Sequence, residues 1–366
     1  MNVTEDNCYE SYIMETQPEM RLGYFLQLIL ASGVSVRIVM AVRSRHKRHV
    51  PAHPNFKLLI ASACFAVWLY STFEAIDSAI LLFNSLRATP ENCATNIYRT
   101  TCLLIKIPFF YAVPMLSTIH VLMFMERSTA FLMKGNYEKK MSKYGVIITA
   151  VAWFCCLPFE ILIIGKFTLA EKVVHCQIFN NDTEVLFGIA LELTTLVDIA
   201  TTMGDTILRF RARRSSRKTK EFANFDTYTL SDAYQQKENL RLMTMMVPIS
   251  TVFAAGHLIF VPSLLSLHSL IPIYAKFRIG EKFTPEDVER LRVAVFEINM
   301  GILLTILLIV ISLYCRMGEK LMNEKQAALD RPDTDMCFSM FEKQMNAKLM
   351  SKKFGVQVKK PAKKKS

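Results

Sequence analysis

Seven apolar runs constrain this chain more than any other feature. They lie at Leu22–Val42, Phe56–Phe83, Leu103–Met123, Tyr144–Gly165, Val185–Phe210, Leu242–Leu267 and Val293–Cys315. Each is long enough to cross a hydrocarbon core, which takes roughly 20 helical residues. Away from water, such a run satisfies its own backbone amides only as a helix. Of the 366 residues 52% are hydrophobic and 21% charged, too apolar a balance for a water-soluble domain. The expected fold is an all-α membrane protein, a seven-transmembrane helix bundle over 22–315. An N-terminal segment, 1–21, precedes it, and a basic tail, 316–366, follows. An odd number of crossings puts the two ends on opposite sides.

Basic residues set the expected orientation. Arg43, Arg45, Lys47 and Arg48 lie between the first two runs, and Lys134, Lys139, Lys140 and Lys143 between the third and fourth. Between the fifth and sixth come Arg209, Arg211, Arg213, Arg214, Arg217, Lys218 and Lys220. The opposite segments are poorer, although Lys276, Arg278 and Lys282 make the last of them mixed. The N-terminus is therefore expected outside and the C-terminus in the cytosol. Met1–Met20, with Glu5, Asp6, Glu10, Glu15 and Glu19, lacks the basic start and apolar centre of a signal peptide. The first run is expected to serve as its own insertion signal. The net charge of +12 reads as topology charge with attraction to anionic membrane lipid. Spread over loops, it does not form a nucleic-acid surface.

Two sequons, at Asn2 and Asn181, fall on the proposed outer face. So do Cys8, Cys93, Cys102 and Cys176, in an oxidising compartment. Four cysteines allow three pairings; Cys102–Cys176 with Cys8–Cys93 is the preferred one, and a bridge from Cys102, at the start of the third run, to Cys176 would pin the loop after the fourth run over the bundle mouth.

Ionisable groups inside spans normally face the bundle interior. Glu74 and Asp77, three apart in the second run, share one helical face, and Lys106 in the third is placed to pair with one of them. This trio is either an anchor for a ligand or a structural ion pair. Asp198 and Asp205 lie one heptad apart in the fifth run, and with Glu192 and neighbouring threonines they suggest a polar stripe. His257 and Glu297 are the interior candidates of the sixth and seventh runs. Pro248 and Pro262 are candidate kinks in the sixth. No nucleotide-binding, zinc-protease or serine-hydrolase motif occurs, so neither enzyme chemistry nor a cofactor is expected.

At the inner end of the third run stands Glu126-Arg127-Ser128-Thr129-Ala130, followed by Tyr137-Glu138. This resembles the ER-x-x-A…YE pattern of nematode serpentine chemoreceptors. Before the sixth run, Tyr228 to Arg241 reads YTLSDAYQQKENLR, which resembles a stretch of the Sra superfamily and most of all its class epsilon (Sre). Ser231 or Asp232 is placed to cap the helix that carries it. The resemblance implies a seven-transmembrane G-protein-coupled receptor in the plasma membrane, in sensory cilia, with an extracellular small molecule or peptide as ligand. It implies a heterotrimeric G protein as partner and leaves room for homo- or hetero-oligomers. Glu126, Arg127, Tyr137, Tyr234, Gln235, Lys237, Glu238, Asn239 and Arg241 become the coupling residues. Glu74, Asp77, Lys106, Asp198, His257 and Glu297 become ligand-binding candidates. Rhodopsin-like features are missing: there is no N-P-x-x-Y or lysine in the last run and no aspartate in the third, so that class's ligands do not carry over.

Two other readings stand beside the receptor. An ion channel or transporter would use the polar residues of the fifth helix, although the matched glycine and proline breaks of transporter repeats are missing. The terminal Lys363-Lys364-Lys365-Ser366 also resembles a dilysine retrieval signal of the endoplasmic reticulum. Glycosylation mapping checks the orientation: Asn2→Gln and Asn181→Gln each remove one glycosidase-sensitive step in gel mobility. Wild-type protein with neither step, and new glycans accepted only in the basic loops, would invert the topology.

Overall fold

The computed structural model describes residues 12–13, 15–46, 53–89, 97–133, 137, 144–158, 172–173, 181–221, 230–278 and 285–329. Seven helices dominate them: α1 Pro18–His46, α2 Pro54–Arg87, α3 Arg99–Met133, α4 Tyr144–Cys155, α5 Asn181–Glu221, α6 Leu230–Arg278 and α7 Pro285–Leu329. Two short strands, β1 Ile97–Tyr98 and β2 Lys172–Val173, pair antiparallel with Ile97 opposite Val173. Met1–Cys315 forms one compact unit and Arg316–Ser366 another; the packing below is that of the first. α1, α2, α3, α6 and α7 contain stretches long and apolar enough to cross a membrane. α4 is a shorter apolar helix, and Phe159–Gly165 of its run lies outside the described residues.

The burial pattern is inverted relative to a water-soluble protein. Leu22, Phe25, Leu26, Ile29 and Val36 are exposed along α1, while Glu74, Asp77, Lys106, His120, Asp198 and Asn299 are buried. Large apolar side chains outside and polar ones inside are what a hydrocarbon surround selects. The buried positions follow a seam of alternating three and four residues. In α1 they are Met20, Tyr24, Gln27, Ala31, Val34 and Ile38; in α7, Val293, Glu297, Met300, Leu304, Leu307, Ile311 and Tyr314. A repeat near 3.5 keeps one face of each helix on its neighbours at shallow crossing angles. The central apolar cluster draws on α1, α2, α3, α5, α6 and α7. α2 packs against α1, α3 and α4, and α3 also touches α5 and α6, with α5 against α6.

Several sequence expectations change here. α5 runs to Glu221, so the basic stretch from Arg209 is a helical extension and not a loop. Its buried seam is Leu191, Thr195, Asp198, Thr201, Asp205, Leu208 and Ala212. Glu192 is exposed because six residues turn it about a third of a circle away from Asp198. α6 already begins at Leu230, which places Ser231 and Asp232 inside its first turn instead of at the cap. α6 passes through Pro248 and Pro262 as one helical element. α2 starts as its sequence demands: Pro54 occupies the first turn, and His53 Nδ1 accepts from Asn55 N at 3.4 Å.

Close helix contacts rest on particular glycines. A Cβ at Gly204 of α5 would lie 2.8 Å from the Phe124 ring of α3, and one at Gly256 of α6 would lie 2.6 Å from Ile306 of α7. Gly301 has open space around it. Gly256→Val is expected to destabilise by about 1–3 kcal/mol through overpacking, whereas Gly301→Ala is expected to be neutral or stabilising. Thermal unfolding of both variants in detergent checks the contrast.

Candidate functional site

Three groups of buried polar side chains contain residues singled out in the sequence. The first lies toward the end that carries Cys102. There Lys106 of α3 forms an ion pair with Asp77 of α2, and its ammonium sits 5.9 Å from the Phe296 ring centroid of α7. Gln27 of α1 donates to Glu297 Oε2 at 2.7 Å and to the Glu297 carbonyl at 2.6 Å. Ser78 donates to Gln27 Oε1 at 3.2 Å. Glu74 is 1% exposed, yet neither of its carboxyl oxygens takes a hydrogen bond among the described residues. Of the two acids on that face, Lys106 thus pairs with Asp77 and not with Glu74. Cys102 is buried and disulfide-bonded; Cys8, Cys93 and Cys176 lie outside the described residues. Asn2 also lies outside them, and Asn181 is the first residue of α5.

The second group ties α3, α5 and α6. Ser117 of α3 donates to Asp198 Oδ2 at 2.6 Å, and His120 Nδ1 lies 3.0 Å from Asp198 Oδ1. Ser250 of α6 donates to Asp205 Oδ2 at 2.8 Å, which spends its only proton. The His120 Nε2–H therefore donates to Ser250 Oγ, at 3.0 Å. His257 Nδ1 stands 2.6 Å from Asp198 Oδ2, but out of line for a hydrogen bond. Phe253 packs between the two imidazoles, edge-on to His120 and 4.5 Å from His257. Thr201, expected in a polar stripe, turns its hydroxyl back to the Val197 carbonyl.

The third group lies at the other end of α3. Arg127, 2% exposed, is gripped by the carboxylate of its neighbour Glu126 through Nε and Nη2. Its Nη1 donates to Asn239 Oδ1 of α6 at 2.9 Å, and its guanidinium carbon lies 4.4 Å from the Phe56 ring centroid of α2. A planar, delocalised cation suits both the carboxylate fork and the aromatic face. Tyr137 donates to Glu126 Oε1 at 2.5 Å, and its ring meets His53 at 4.5 Å. Burial first, then the hydrogen bond and charge of Glu126, push the Tyr137 phenol above its ordinary pKa. It stays protonated and remains a donor.

Of the expected coupling residues, Glu126, Arg127, Tyr137 and Asn239 come together. Lys237 is exposed, Glu238 and Arg241 are half-buried, and the side chains of Tyr234 and Gln235 lie outside the description. Gln236 instead links α6 to α5, donating to Ser215 at 3.0 Å. Sequence reasoning missed Ser117, His120 and Ser250. The signal was present: Ser117 and His120 stand ten and seven residues before Arg127, on the same α3 face.

Comparison with known families decides what this architecture belongs to. A model of the serpentine type 7TM GPCR receptor class ab chemoreceptor matches residues 5–346. The chain belongs to that family. Serpentine receptor class alpha/beta-14 of Caenorhabditis elegans is 24% identical over 297 residues, covering 78% of this chain and 72% of the relative. Serpentine receptor class alpha-39 of the same organism is 22% identical over 239 residues, covering 63% and 60%. The superfamily expected from the motifs is therefore right, but the class is ab and not epsilon. Membership makes the chain a multi-pass membrane protein of a chemoreceptor family, not an enzyme.

The first group yields a stability test. Lys106→Met leaves Asp77 buried without its cation, at an expected cost of about 3–5 kcal/mol. Adding Asp77→Leu is expected to recover most of that loss, and Glu74→Gln to change little. Thermal unfolding of the four proteins measures the coupling; a double variant no better than Lys106→Met would refute it.

Proposed function

We propose that this chain is a chemosensory receptor that takes an extracellular small molecule or peptide at its Cys102 end. It passes the signal to a heterotrimeric G protein through the ends of α3, α5 and α6 near Arg127. The observation that carries this reading is the tie between α3 and α6. Arg127 is held by Glu126 on its own helix and by Asn239 across the gap, and Tyr137 braces Glu126 from the following segment. In this reading the described arrangement is the resting one, and release of Arg127 from Asn239 opens the cytosolic cleft. The N-terminus is then outside, at the plasma membrane.

The remaining groups support the same reading. Glu74 supplies a buried carboxyl with spare hydrogen-bonding capacity for a ligand, beside the Lys106–Asp77 pair, while Glu297 is held by Gln27. Asp198 and His257 then relay between the ligand end and Arg127. The β1–β2 pairing brings the segment before Cys102 beside the segment that precedes Cys176, consistent with a bridge between those two. A channel reading is weaker, because Asp198 and Asp205 are engaged by Ser117, His120 and Ser250.

A ligand acts by preferring one state, and a difference of about 1.4 kcal/mol shifts the populations tenfold. Asn239→Ala removes a charge-assisted hydrogen bond of roughly 1.5–3 kcal/mol and is expected to raise ligand-independent signalling about tenfold or more. Arg127→Ala is expected to abolish signalling. A G-protein reporter, with surface expression matched, measures both. Undiminished signalling in Arg127→Ala would end this reading.

A further inference from the structure

A cavity of about 110 Å³ lies toward the Arg127 half of the bundle, walled by α1, α2, α3, α6 and α7. Ile38, Cys64, Met123, Met246 and Leu307 represent the five helices in its lining. Of the polar side chains in its lining, His120 and Ser250 are bonded to the aspartates of α5, and apart from these and Tyr314 the lining is apolar. A polar guest would give up its hydration there and regain little of it from so apolar a lining. Packed interiors hold few voids larger than a water molecule. A void of roughly 150 Å³ lined by aliphatic and aromatic side chains stays dry and takes up benzene or xenon. Two methionines in the wall add adaptability.

Position gives the cavity its meaning. Met123 lies one helical turn from Arg127 on α3, and Met246 two turns from Asn239 on α6. His120 and Ser250 also line the cavity. It is therefore bracketed by the two described ties between α3 and α6, His120 with Ser250 and Arg127 with Asn239. We propose that this cavity is a second binding site, taking a small uncharged apolar molecule about the size of a benzene ring, and that filling it holds α3 and α6 in the tied arrangement. This site is separate from the one proposed at the Cys102 end, and only its effect on signalling rests on the receptor reading. The shared ligand chemistry is apolar and compact: either a free molecule or the end of a lipid acyl chain.

The thiol of Cys64 reports occupancy directly, since it lines the cavity and is not in a disulfide. Full-length receptor is treated with methyl methanethiosulfonate, with and without toluene, and modification is read by peptide mass spectrometry. Exposed Cys155 serves as internal reference. Toluene is expected to slow Cys64 modification about tenfold, as a probe at roughly ten times its Kd does, and to leave Cys155 unchanged. Delipidated detergent and lipid nanodiscs form two arms. Protection by toluene in both arms marks a site for free small molecules. Protection in nanodiscs without toluene, lost on delipidation, marks an acyl chain. Equal Cys64 rates under every condition would overturn the site. Ala63→Phe, which fills the lining from α2, is expected to abolish toluene protection of Cys64 and to lower ligand-independent signalling; Ala41→Leu, on the α1 wall, is the milder variant should the first not fold. Toluene protection that persists in a folded filled variant would place the guest elsewhere and refute the assignment. Protection in wild-type receptor with signalling unchanged by filling would refute the hold on α3 and α6 while leaving the binding intact.

Discussion

The carboxylate of Asp198 is the point on which the bundle turns. It receives Ser117 and faces His120 from α3, and His257 of α6 stands against it, so three helices converge on one buried charge. In hydrocarbon such a group persists only where donors surround it. That demand fixes the rotation of α5, and the seam of threes and fours then carries Asp205 to Ser250 one heptad further on. Apolar packing fills the rest. Leu, Ile and Val are no less comfortable against lipid than against each other, so polar pairs and close fit decide which faces meet.

Much of this was legible in the sequence. The apolar runs located all seven helices, because length and the backbone's need for hydrogen bonds leave no alternative in a membrane. Asp198 and Asp205 could be placed on one face from their heptad spacing. Glu192 could not join them, and the rotation of six residues explains why. The helix ends were less legible: α5 continues through Arg209–Lys220 because a charged stretch makes an adequate helix in water, so a change in composition marks the membrane boundary and not the end of the helix.

Pairings across helices were the hardest to foresee. Lys106 had two acids within reach on one face, and only the relative rotation of α2 and α3 selects Asp77 over Glu74. His120 escaped notice because a lone histidine in an apolar run has no local partner; its meaning comes from α5 and α6, more than a hundred residues away in the case of Ser250. At Arg127 the motif located the acid and the arginine. Asn239 emerged as the contact of α6 because it lies on the buried seam with Leu242 and Met246. The family comparison refined the class from residues 5–346, where a single stretch before α6 had suggested a sister class.

α6 is tied to α3 at two points along its length. Ser250 is fixed near mid-bundle and Asn239 near one end, eleven residues apart, which is about 16 Å of helix. A tilt of about 10° pivoting at Ser250 sweeps Asn239 through about 3 Å, more than a hydrogen bond tolerates. α6 is thus built as a lever whose fulcrum lies deep among the aspartates, so a small rotation there appears at the far end as a completed break.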